Sequence, residues 1–359
     1  MEKNLKILES VLAEYDYSFP SELIAQAPVS PRDSAKLLIY NRATSQVVHD
    51  IFLNLPKYLP PRAVLVFNET KVIPARFIVT KPKVKNQGGG VCTLLYLAKV
   101  ADNRGLGNLI RVLSDKKLAI GSVLKGKGGL SVSVVDRKDA EYILKTLVRN
   151  FDRWLDAHGI APLPQYIKYS PLTRAQAKRE YQTIFAKKAG SVAAPTASLH
   201  FTKRLLKKLQ ASGFQIEFVT LHVGLGTFAK VTEENLKQNK LHKEHYEISR
   251  ATAVRLKRAK REGRPVIAVG TTVARTLEHL ALRRAQGELE LQGKTDLFIQ
   301  PGYKFKFVDG LITNFHVPKS SLLMLVSAMT DRKKILRIYE EAIKRNYKLF
   351  SFGDGMLIL

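Results

Sequence analysis

Residues 77 to 135 differ in pattern from the rest of the chain, and this difference limits the fold more than any other feature. Short runs of alternating apolar residues are separated by glycine-rich breaks. The runs are FIVT, VCTLLYLA, LIRVL and LSVSVV, and the breaks lie at 88–90, 105–107 and 126–129. Many short strands with closely spaced turns are typical of an antiparallel β-barrel or sandwich, and not of βαβ units. We therefore predict an inserted β-barrel domain at residues 69–149.

The remaining sequence repeats the order strand, polar tip and helix, which indicates an α/β domain. The clearest units are SVAAPTASLHFT before TKRLLKKLQASG, FQIEFVTLHVGLGTF before TEENLKQ, and PVIAVG before TTVARTLEHLALRR. A further strand at Val308–Phe315 stops before Pro318, and one of two serines can cap a helix that starts at Leu322. This pattern predicts a discontinuous α/β domain formed by residues 1–68 and 150–359.

The composition is strongly basic, with 59 Lys and Arg against 31 Asp and Glu and a net charge of +28. Such an excess repels itself unless an anionic partner is near. Nucleic acid is the commonest partner of this kind, and its binding weakens steeply with salt. The densest runs are 203–208 (KRLLKK), 250–264 and 174–179. A solvated helix face is the ordinary explanation of a charge run, but the second run has seven Lys or Arg against one Glu, so we expect a phosphate-contacting surface.

The sequence favours neither a membrane protein nor a secreted one. No apolar run approaches the ~18 residues of a spanning helix, and the segment MEKNLKILESVLAEYD lacks the apolar core of a signal peptide. Cys92 is the only cysteine, so neither an internal disulfide nor a cysteine-based zinc site can form. These features predict a cytoplasmic protein with no membrane partner, and we expect a monomer.

Polar residues at predicted strand ends are the candidates for chemistry, because α/β proteins bind ligands at the carboxyl ends of strands. His200, His222 and His316 each lie at such an end and are candidates for acid–base chemistry or ribose contact, although single histidines are often structural. Glu244, in KLHKEHYE, is the candidate carboxylate. Asn314 is a candidate for cofactor binding. The HxxH spacing beside Glu244 lacks a third nearby ligand, so we predict no metal site.

Two glycine turns predict contacts with a ligand. Gly224 and Gly226 lie in HVGLGTFA, whose GxGxxA spacing formally matches a dinucleotide fingerprint and resembles a methyltransferase loop. The acidic residue expected after the next strand has no clear counterpart, so we favour a ligand-approaching loop of another kind. At the second turn, Thr271, Thr272 and Arg275 follow a strand where N–H groups and hydroxyls can hold an anion. Ordinary N-capping by a threonine is the alternative.

Over nearly its whole length, the chain resembles the S-adenosylmethionine:tRNA ribosyltransferase-isomerase family. The resemblance rests on many segments together, and a glycine loop alone would not carry it. The segments are ELIAQAPVSPRDSAKLLIY at Glu22, LVFNETKVIPAR at Leu65, APLPQYI at Ala161, REYQTIFAKKAGSVAAPTASLHFT at Arg179, VTLHVGLGTF at Val219, LHKEHYEIS at Leu241, AVGTTVARTLE at Ala268, Asp296–Leu325, and FSFGDGML at Phe350.

The resemblance implies an enzyme that transfers and isomerises the ribosyl moiety of S-adenosylmethionine onto 7-aminomethyl-7-deazaguanine at the tRNA wobble position. It implies epoxyqueuosine, adenine and methionine as products, S-adenosylmethionine as co-substrate, no metal, and the tRNA anticodon stem-loop as partner. It also implies an α/β barrel-like catalytic domain carrying an inserted small antiparallel β-barrel. The wobble base must leave its stack to react, and Tyr246, Phe228 or Phe315 are candidates to stack on it.

The chain departs from the usual pattern of that family at Glu69, Ser198, Leu241 and His245, where the family has Asp or Asn, Gly, Met and Trp. None of these changes removes an evident acid, base or anion contact. From the residues alone, two other functions stay open: an S-adenosylmethionine-dependent tRNA methyltransferase, and a non-catalytic RNA-binding protein.

Overall fold

The computed structural model describes residues 2–81, 89–101, 108–138, 140–224, 231–285 and 290–359. The chain divides into two compact units. The first, which we call the α/β unit, comprises Met1–Lys71, Pro164–Leu172 and Glu180–Leu359. The second, the barrel unit, comprises Val72–Leu163 and Thr173–Arg179.

From residue 203 onwards helices and strands largely alternate, whereas the described residues between 76 and 146 are mainly strands. The helices are α1 (Glu2–Ala13), α2 (Phe151–His158), α3 (Arg174–Glu180), α4 (Lys203–Ala211), α5 (Glu233–Gln238), α6 (Arg250–Arg261), α7 (Thr271–Ala285), α8 (Ser321–Ala328) and α9 (Arg332–Lys344). The strands are β1 (Lys36–Tyr40), β2 (Val47–Ile51), β3 (Val64–Asn68), β4 (Thr70–Val72), β5 (Arg76–Lys81), β6 (Gly90–Val100), β7 (Asn108–Ser114), β8 (Val123–Gly126), β9 (Ser131–Lys138), β10 (Glu141–Thr146), β11 (Lys188–Ser191), β12 (Gln215–Leu221), β13 (Lys240–Glu247), β14 (Val266–Val269), β15 (Gln292–Leu297), β16 (Gly310–Asn314) and β17 (Gly355–Ile358). Within the ranges described, none of the helices is long and apolar enough to cross a membrane.

One large mixed sheet forms the frame of the α/β unit. In the described part of this unit, nine strands follow the order β15-β13-β12-β3-β14-β16-β17-β1-β2. The central strands β12, β3, β14 and β16 are parallel neighbours, with Val269 beside Ile312 in the register. Antiparallel partners flank this centre, since β13 pairs with β12 and β17 pairs with β16. The carboxyl ends of four neighbouring strands therefore lie at one edge of the sheet.

The sequences of the central strands explain their position. The strands β3 (VLVFN), β14 (VIAV) and β16 (GLITN) are buried along their whole length, as expected for parallel strands covered by helices on both faces. On one face, Leu205 and Leu209 of α4 join a core with Phe67. On the other, Leu256 of α6 joins a core with Val66. We call these two sides of the sheet the α4 face and the α6 face.

The barrel unit is a closed antiparallel barrel of the strands β10, β7, β6, β5, β8 and β9, in that order. Alternate residues fill its interior: Phe77 and Val79 of β5 are 1% exposed, whereas Ile78 between them is 38% exposed. Trp154 of α2 packs edge-on against Phe77 with ring centroids 5.5 Å apart. The prediction of an α/β domain with an inserted small antiparallel β-barrel is confirmed.

Candidate active site

The carboxyl ends of the four parallel strands carry polar or turn-forming residues. These are Asn68 at the end of β3, His222 after β12, Gly270 after β14 and Asn314 at the end of β16. Because the strands are neighbours and run in one direction, these residues lie along the same edge, where α/β proteins bind ligands. We call this edge the strand-end rim.

Asn68 joins three elements at the rim, and it was missing from the candidates that the sequence suggested. Its side-chain oxygen accepts hydrogen bonds from the N–H groups of Leu221 and Thr70, each at 3.1 Å. Its side-chain nitrogen donates to the Leu221 carbonyl at 2.9 Å and to the Thr272 hydroxyl at 3.3 Å. A fully buried amide thus ties β3, β12 and the start of α7 together. The polar string NETK directly after an apolar strand is the signal that could have located it.

The turn between β14 and α7 brings the first residues of α7 to the rim. Gly270 adopts a φ of 100°, a conformation that residues with a Cβ rarely adopt. Thr271 and Thr272 follow directly and are each 7% exposed. The Thr272 hydroxyl accepts the hydrogen bond from Asn68, so this residue has a structural contact whether or not it also binds a ligand.

Asn314 and His200 lie together on the α4 face. Asn314 Nδ2 is 3.3 Å from His200 Nε2, and Asn314 Oδ1 accepts a hydrogen bond from the Thr196 hydroxyl at 2.8 Å. The His200 ring stacks on Phe52 with centroids 4.0 Å apart. Burial lowers the pKa of His200 to about 3, and the charge of Arg32 acts in the same direction. His200 is therefore a neutral imidazole at pH 7.

His316 lies on the α6 face and is also buried. Its Nε2 is 2.8 Å from the Thr313 hydroxyl, and its backbone N–H donates to the Tyr339 hydroxyl at 3.0 Å. Burial lowers the pKa of His316 to about 3. Successive residues of a strand point to opposite faces, so Thr313 and Asn314 hold their two histidines on opposite sides of β16. His200 and His316 therefore do not form an acid–base pair.

His222 is half-buried at the end of β12. Its Nδ1 is 2.8 Å from the Thr70 hydroxyl. A Cβ on Gly190 would lie 3.0 Å from the imidazole, so the ring packs directly on that backbone. The exposed His245 stacks on His222 at 6.0 Å between centroids. Desolvation lowers the pKa of His222, and the neighbouring His245 lowers it further. Unlike His200 and His316, this histidine is partly open to solvent.

Glu244 and Arg275 form a buried ion pair, and each is 4% exposed. Arg275 Nη1 donates to Glu244 Oε2, while the Gly224 N–H donates to Glu244 Oε1 at 3.1 Å. Arg275 Nε also donates to the Leu297 carbonyl at 3.0 Å. Three of the sequence candidates are thereby brought into contact. The pocket beside them is lined by Leu241, His242, Glu244, Arg275, Ile299, Ser321, Leu322 and Leu325.

The other sequence candidates do not join these groups. Gly226 and Phe228 lie outside the described residues. Tyr246 and Phe315 are 0% exposed, with the Tyr246 ring packed against His279 and the Phe315 ring against Tyr339, each at 5.1 Å between centroids. Neither ring therefore offers a face to an extruded base. In the part of the chain that the structure covers, no group of three or more His, Cys, Asp or Glu is arranged to hold a metal ion.

The basic runs divide into structural and surface cations. Arg204 pairs with the buried Asp33 at 2.6 Å, and Arg255 pairs with the buried Glu217 at 2.5 Å. Arg255 thereby joins α6 to β12, and Arg204 joins α4 to the turn that precedes β1. Other cations of α4 and α6 are exposed: Lys203, Lys207, Lys208, Arg250, Lys257, Arg258 and Arg261. The third run, residues 174–179, lies in the barrel unit on α3.

Fold and site together define a class: an α/β protein with an inserted antiparallel barrel, a site at parallel strand ends, and helices with basic surfaces. The family described as "Queuosine biosynthesis protein" matches residues 12–358 of this sequence. The chain belongs to this family, and the family resemblance noted in the sequence is confirmed.

Individual relatives carry a more specific name. A protein of Carboxydothermus hydrogenoformans named S-adenosylmethionine:tRNA ribosyltransferase-isomerase is 45% identical over 351 residues, 97% of this chain and 99% of its own length. One of the same name from Halothermothrix orenii is 44% identical over 96% of this chain and 99% of its own length. A crystal structure of S-adenosylmethionine tRNA ribosyltransferase from Thermotoga maritima is 34% identical, covers 96% of this chain and 100% of that one, and has a TM-score of 0.54. These relatives favour neither a methyltransferase nor a non-catalytic RNA-binding protein.

Proposed function

We propose that this protein transfers and isomerises the ribosyl moiety of S-adenosylmethionine onto 7-aminomethyl-7-deazaguanine at the wobble position of tRNA. Epoxyqueuosine forms, and adenine and methionine are released. The observation that supports this proposal most directly is the 45% identity, over 97% of the chain, to a relative named for that activity. S-adenosylmethionine is then the co-substrate, and the anticodon stem-loop is the part of the tRNA that reaches the strand-end rim.

The reaction needs a base that removes a proton from ribose C5′ beside the sulfonium. Of the three histidine candidates, His222 fits this role best, because it is half-buried and its lowered pKa keeps it neutral at pH 7. In the tautomer that acts as base, Nδ1–H donates to the Thr70 hydroxyl at 2.8 Å, and among the described residues no group hydrogen-bonds to Nε2. Nε2 accepts the C5′ proton, and the electron pair stays on carbon next to the positive sulfur.

His200 and His316 suit a different role. Both are neutral and buried, with pKa values of about 3, and a base so weak removes a carbon-bound proton poorly. His200 instead orients Asn314, whose amide reaches the rim as a contact for ribose or base. Glu244 is held by Arg275 and by the Gly224 N–H, so it positions the cofactor rather than moving a proton.

The cofactor candidates Thr271, Thr272 and Arg275 lie along the first turns of α7, and Asn314 lies across the rim from them. Exclusion of water from this edge protects the C5′ ylide from being protonated again. The amine of the tRNA base is the nucleophile towards the ribosyl group, and adenine and methionine are the leaving groups. The exposed cations of α4 and α6 contact the phosphates of the stem-loop. The protein acts in the cytoplasm and as a monomer. Sedimentation with and without tRNA measures its oligomeric state.

The test is a nucleoside analysis. The protein is incubated with S-adenosylmethionine and a tRNA bearing 7-aminomethyl-7-deazaguanine, and the digested tRNA is examined by mass spectrometry. Epoxyqueuosine with free adenine and methionine in equal amounts is the expected result. The same tRNA with guanine at the wobble position is the control and yields none of the three.

Other outcomes identify the rival functions. A methylated base together with S-adenosylhomocysteine would indicate a methyltransferase. Tight tRNA binding with no calorimetric signal from S-adenosylmethionine, in the presence or absence of tRNA, would indicate a non-catalytic RNA-binding protein. The His222→Gln variant should lose product, while His158→Gln, at the exposed end of α2, should retain it.

A further inference from the structure

Within the described part of the chain, one nitrogen of Arg275 in the buried ion pair lacks a hydrogen-bond partner. Nη1 binds Glu244 and Nε binds the Leu297 carbonyl. Nη2 is buried, and it has no hydrogen-bond partner among the residues that the structure describes. An ionic N–H group left unpaired in the interior is costly, and native proteins almost always satisfy it. Arg275 also lines the pocket described above, so an acceptor bound there would complete its hydrogen bonding.

The first turn of α8 forms another part of the pocket wall. Ser321 and Leu322 both line the pocket and are the first two residues of α8. Ser320 caps this helix by accepting from the Leu323 N–H at 3.2 Å. The N–H groups of the residues before Leu323 have no intrahelical acceptor, and this end of a helix favours negative charge. A carboxylate in the pocket would therefore meet the α8 terminus as well as Arg275.

The rest of the pocket is selective against simple anions. Glu244 lines the same pocket and would repel a phosphate, whereas it would attract an ammonium group. Of the other lining residues, Leu241, Ile299, Leu322 and Leu325 form an aliphatic wall that favours a flexible apolar chain, and His242 adds a polar side chain. Positive, negative and apolar surfaces in one place match a zwitterionic amino acid with an apolar side chain.

We infer that this pocket binds the amino-acid end of S-adenosylmethionine, an assignment that rests on the proposed function. Arg275 Nη2 and the α8 terminus hold the carboxylate, Glu244 holds the ammonium group, and the aliphatic wall packs on the methylene chain. Thr271 lies four residues before Arg275 on the same face of α7, about 6 Å along the helix axis. The sulfonium and ribose then lie towards Thr271 and the strand-end rim.

Calorimetry with two ligands tests this assignment. S-adenosylmethionine is compared with its decarboxylated analogue, which keeps the adenosine, the sulfonium and the amine but lacks the carboxylate. The wild-type protein should bind the analogue about 10- to 100-fold more weakly, the loss expected for a hydrogen-bonded charge pair. Arg275→Gln should bind both ligands with similar, weak affinity. Arg283 is also on α7 and pairs with Glu290 at the surface. The Arg283→Gln variant removes this pair and should discriminate between the two ligands like the wild type.

Two results would overturn the assignment: equal affinity of the wild-type protein for both ligands, or full discrimination by a folded Arg275→Gln. The wild-type comparison needs no substitution, so an unfolded variant does not remove the test. The outcome is separate from that of the proposed function. Epoxyqueuosine production without discrimination would refute the pocket alone, and discrimination without epoxyqueuosine would refute the reaction alone.

Discussion

The hydroxyl of Thr70 lies 2.8 Å from Nδ1 of His222, which joins the chain just after β3 to the end of β12. The Thr70 hydroxyl also donates to the Lys188 carbonyl at 3.5 Å, so it can accept from Nδ1–H, and this contact holds the plane of the imidazole. Thr70→Val keeps the shape of the side chain but removes the hydroxyl. We expect kcat to fall about 10- to 100-fold, as for other residues that orient a reacting histidine, with tRNA affinity unchanged. Thr70→Ser restores the hydroxyl and should restore most of the rate. A low rate in Thr70→Ser as well would refute a positioning role.

The pH dependence of the reaction should report the pKa of His222. The neutral imidazole is the base, so kcat/KM should rise with pH and level off above this pKa. Desolvation and then His245 lower the pKa below the ordinary value of 6.5. His245→Gln removes the second cause, and the midpoint of the acidic limb should therefore move to higher pH. His158→Gln, which removes an exposed histidine of α2, is the control and should leave the midpoint in place. If the midpoint of the acidic limb is the same in His245→Gln as in the wild type, the assignment of His222 as the base is contradicted.

The two fully buried histidines should make the fold sensitive to acid. Their pKa values are about 3 in the folded protein and about 6.5 in the unfolded chain. The unfolded chain binds more protons between these values, so the stability they support is complete above pH 6.5 and is lost as pH falls towards 3. Each histidine contributes a slope of at most about 1.4 kcal/mol per pH unit.

Urea unfolding at several pH values between 4 and 7 measures this slope. His200→Gln and His316→Gln should each make it shallower, whatever their effect at pH 7. Because the two side chains lie on opposite faces of β16, their effects should add in the double variant. A slope that neither substitution changes would mean that other groups control the acid sensitivity.

Both the backbone conformation of Gly190 and the proximity of the His222 ring favour glycine at this position. Its φ is 149°, and an added Cβ would lie 3.0 Å from the His222 ring. Gly190→Ala should therefore lower the free energy of unfolding by about 1–3 kcal/mol and also reduce kcat, because the imidazole must move. Gly213→Ala is the control: its φ is 81°, but among the described residues other than its chain neighbours no atom lies within 4 Å of the added Cβ. It should lose stability and keep kcat, and an equal loss of kcat in both would refute the contact as the cause.

The exposed cations of α6 should set part of the salt dependence of tRNA binding. Replacing Arg250, Lys257 and Arg261 with Gln removes charges that bind phosphates in the proposed complex. The slope of log affinity against log salt should decrease in magnitude by about 0.7–0.9 for each phosphate that is no longer neutralised. The corresponding change of Lys333, Lys334 and Arg337 on α9 is the charge-matched control. Equal slopes in both triple variants would show that net charge, and not the α6 surface, drives binding.

Short-range patterns in the sequence were enough to predict the architecture. Apolar alternation in FIVT and LSVSVV predicted barrel strands, and the run PVIAVG before TTVARTLEHLALRR predicted a strand followed by a helix. Each pattern depends only on residues that are neighbours in the chain, because the period of two belongs to the strand itself. The same logic placed His222 and Asn314 at strand ends, and the structure has both at the strand-end rim.

Tertiary structure alone decided which of these side chains meet. His200 contacts Asn314 across 114 residues of sequence, and Glu244 contacts Arg275 across 31. The bonds of Asn68 to Leu221 and Thr272 likewise join segments that are distant in the sequence. These contacts depend on the order of the strands in the sheet, in which β17 lies between β16 and β1 and runs antiparallel to β16. Hydrophobic burial fixes which face of a strand is covered, but the choice of neighbouring strand depends on how distant segments pack. The sequence therefore determined the elements and the edge that carries the candidate site, and packing determined the pairs within it.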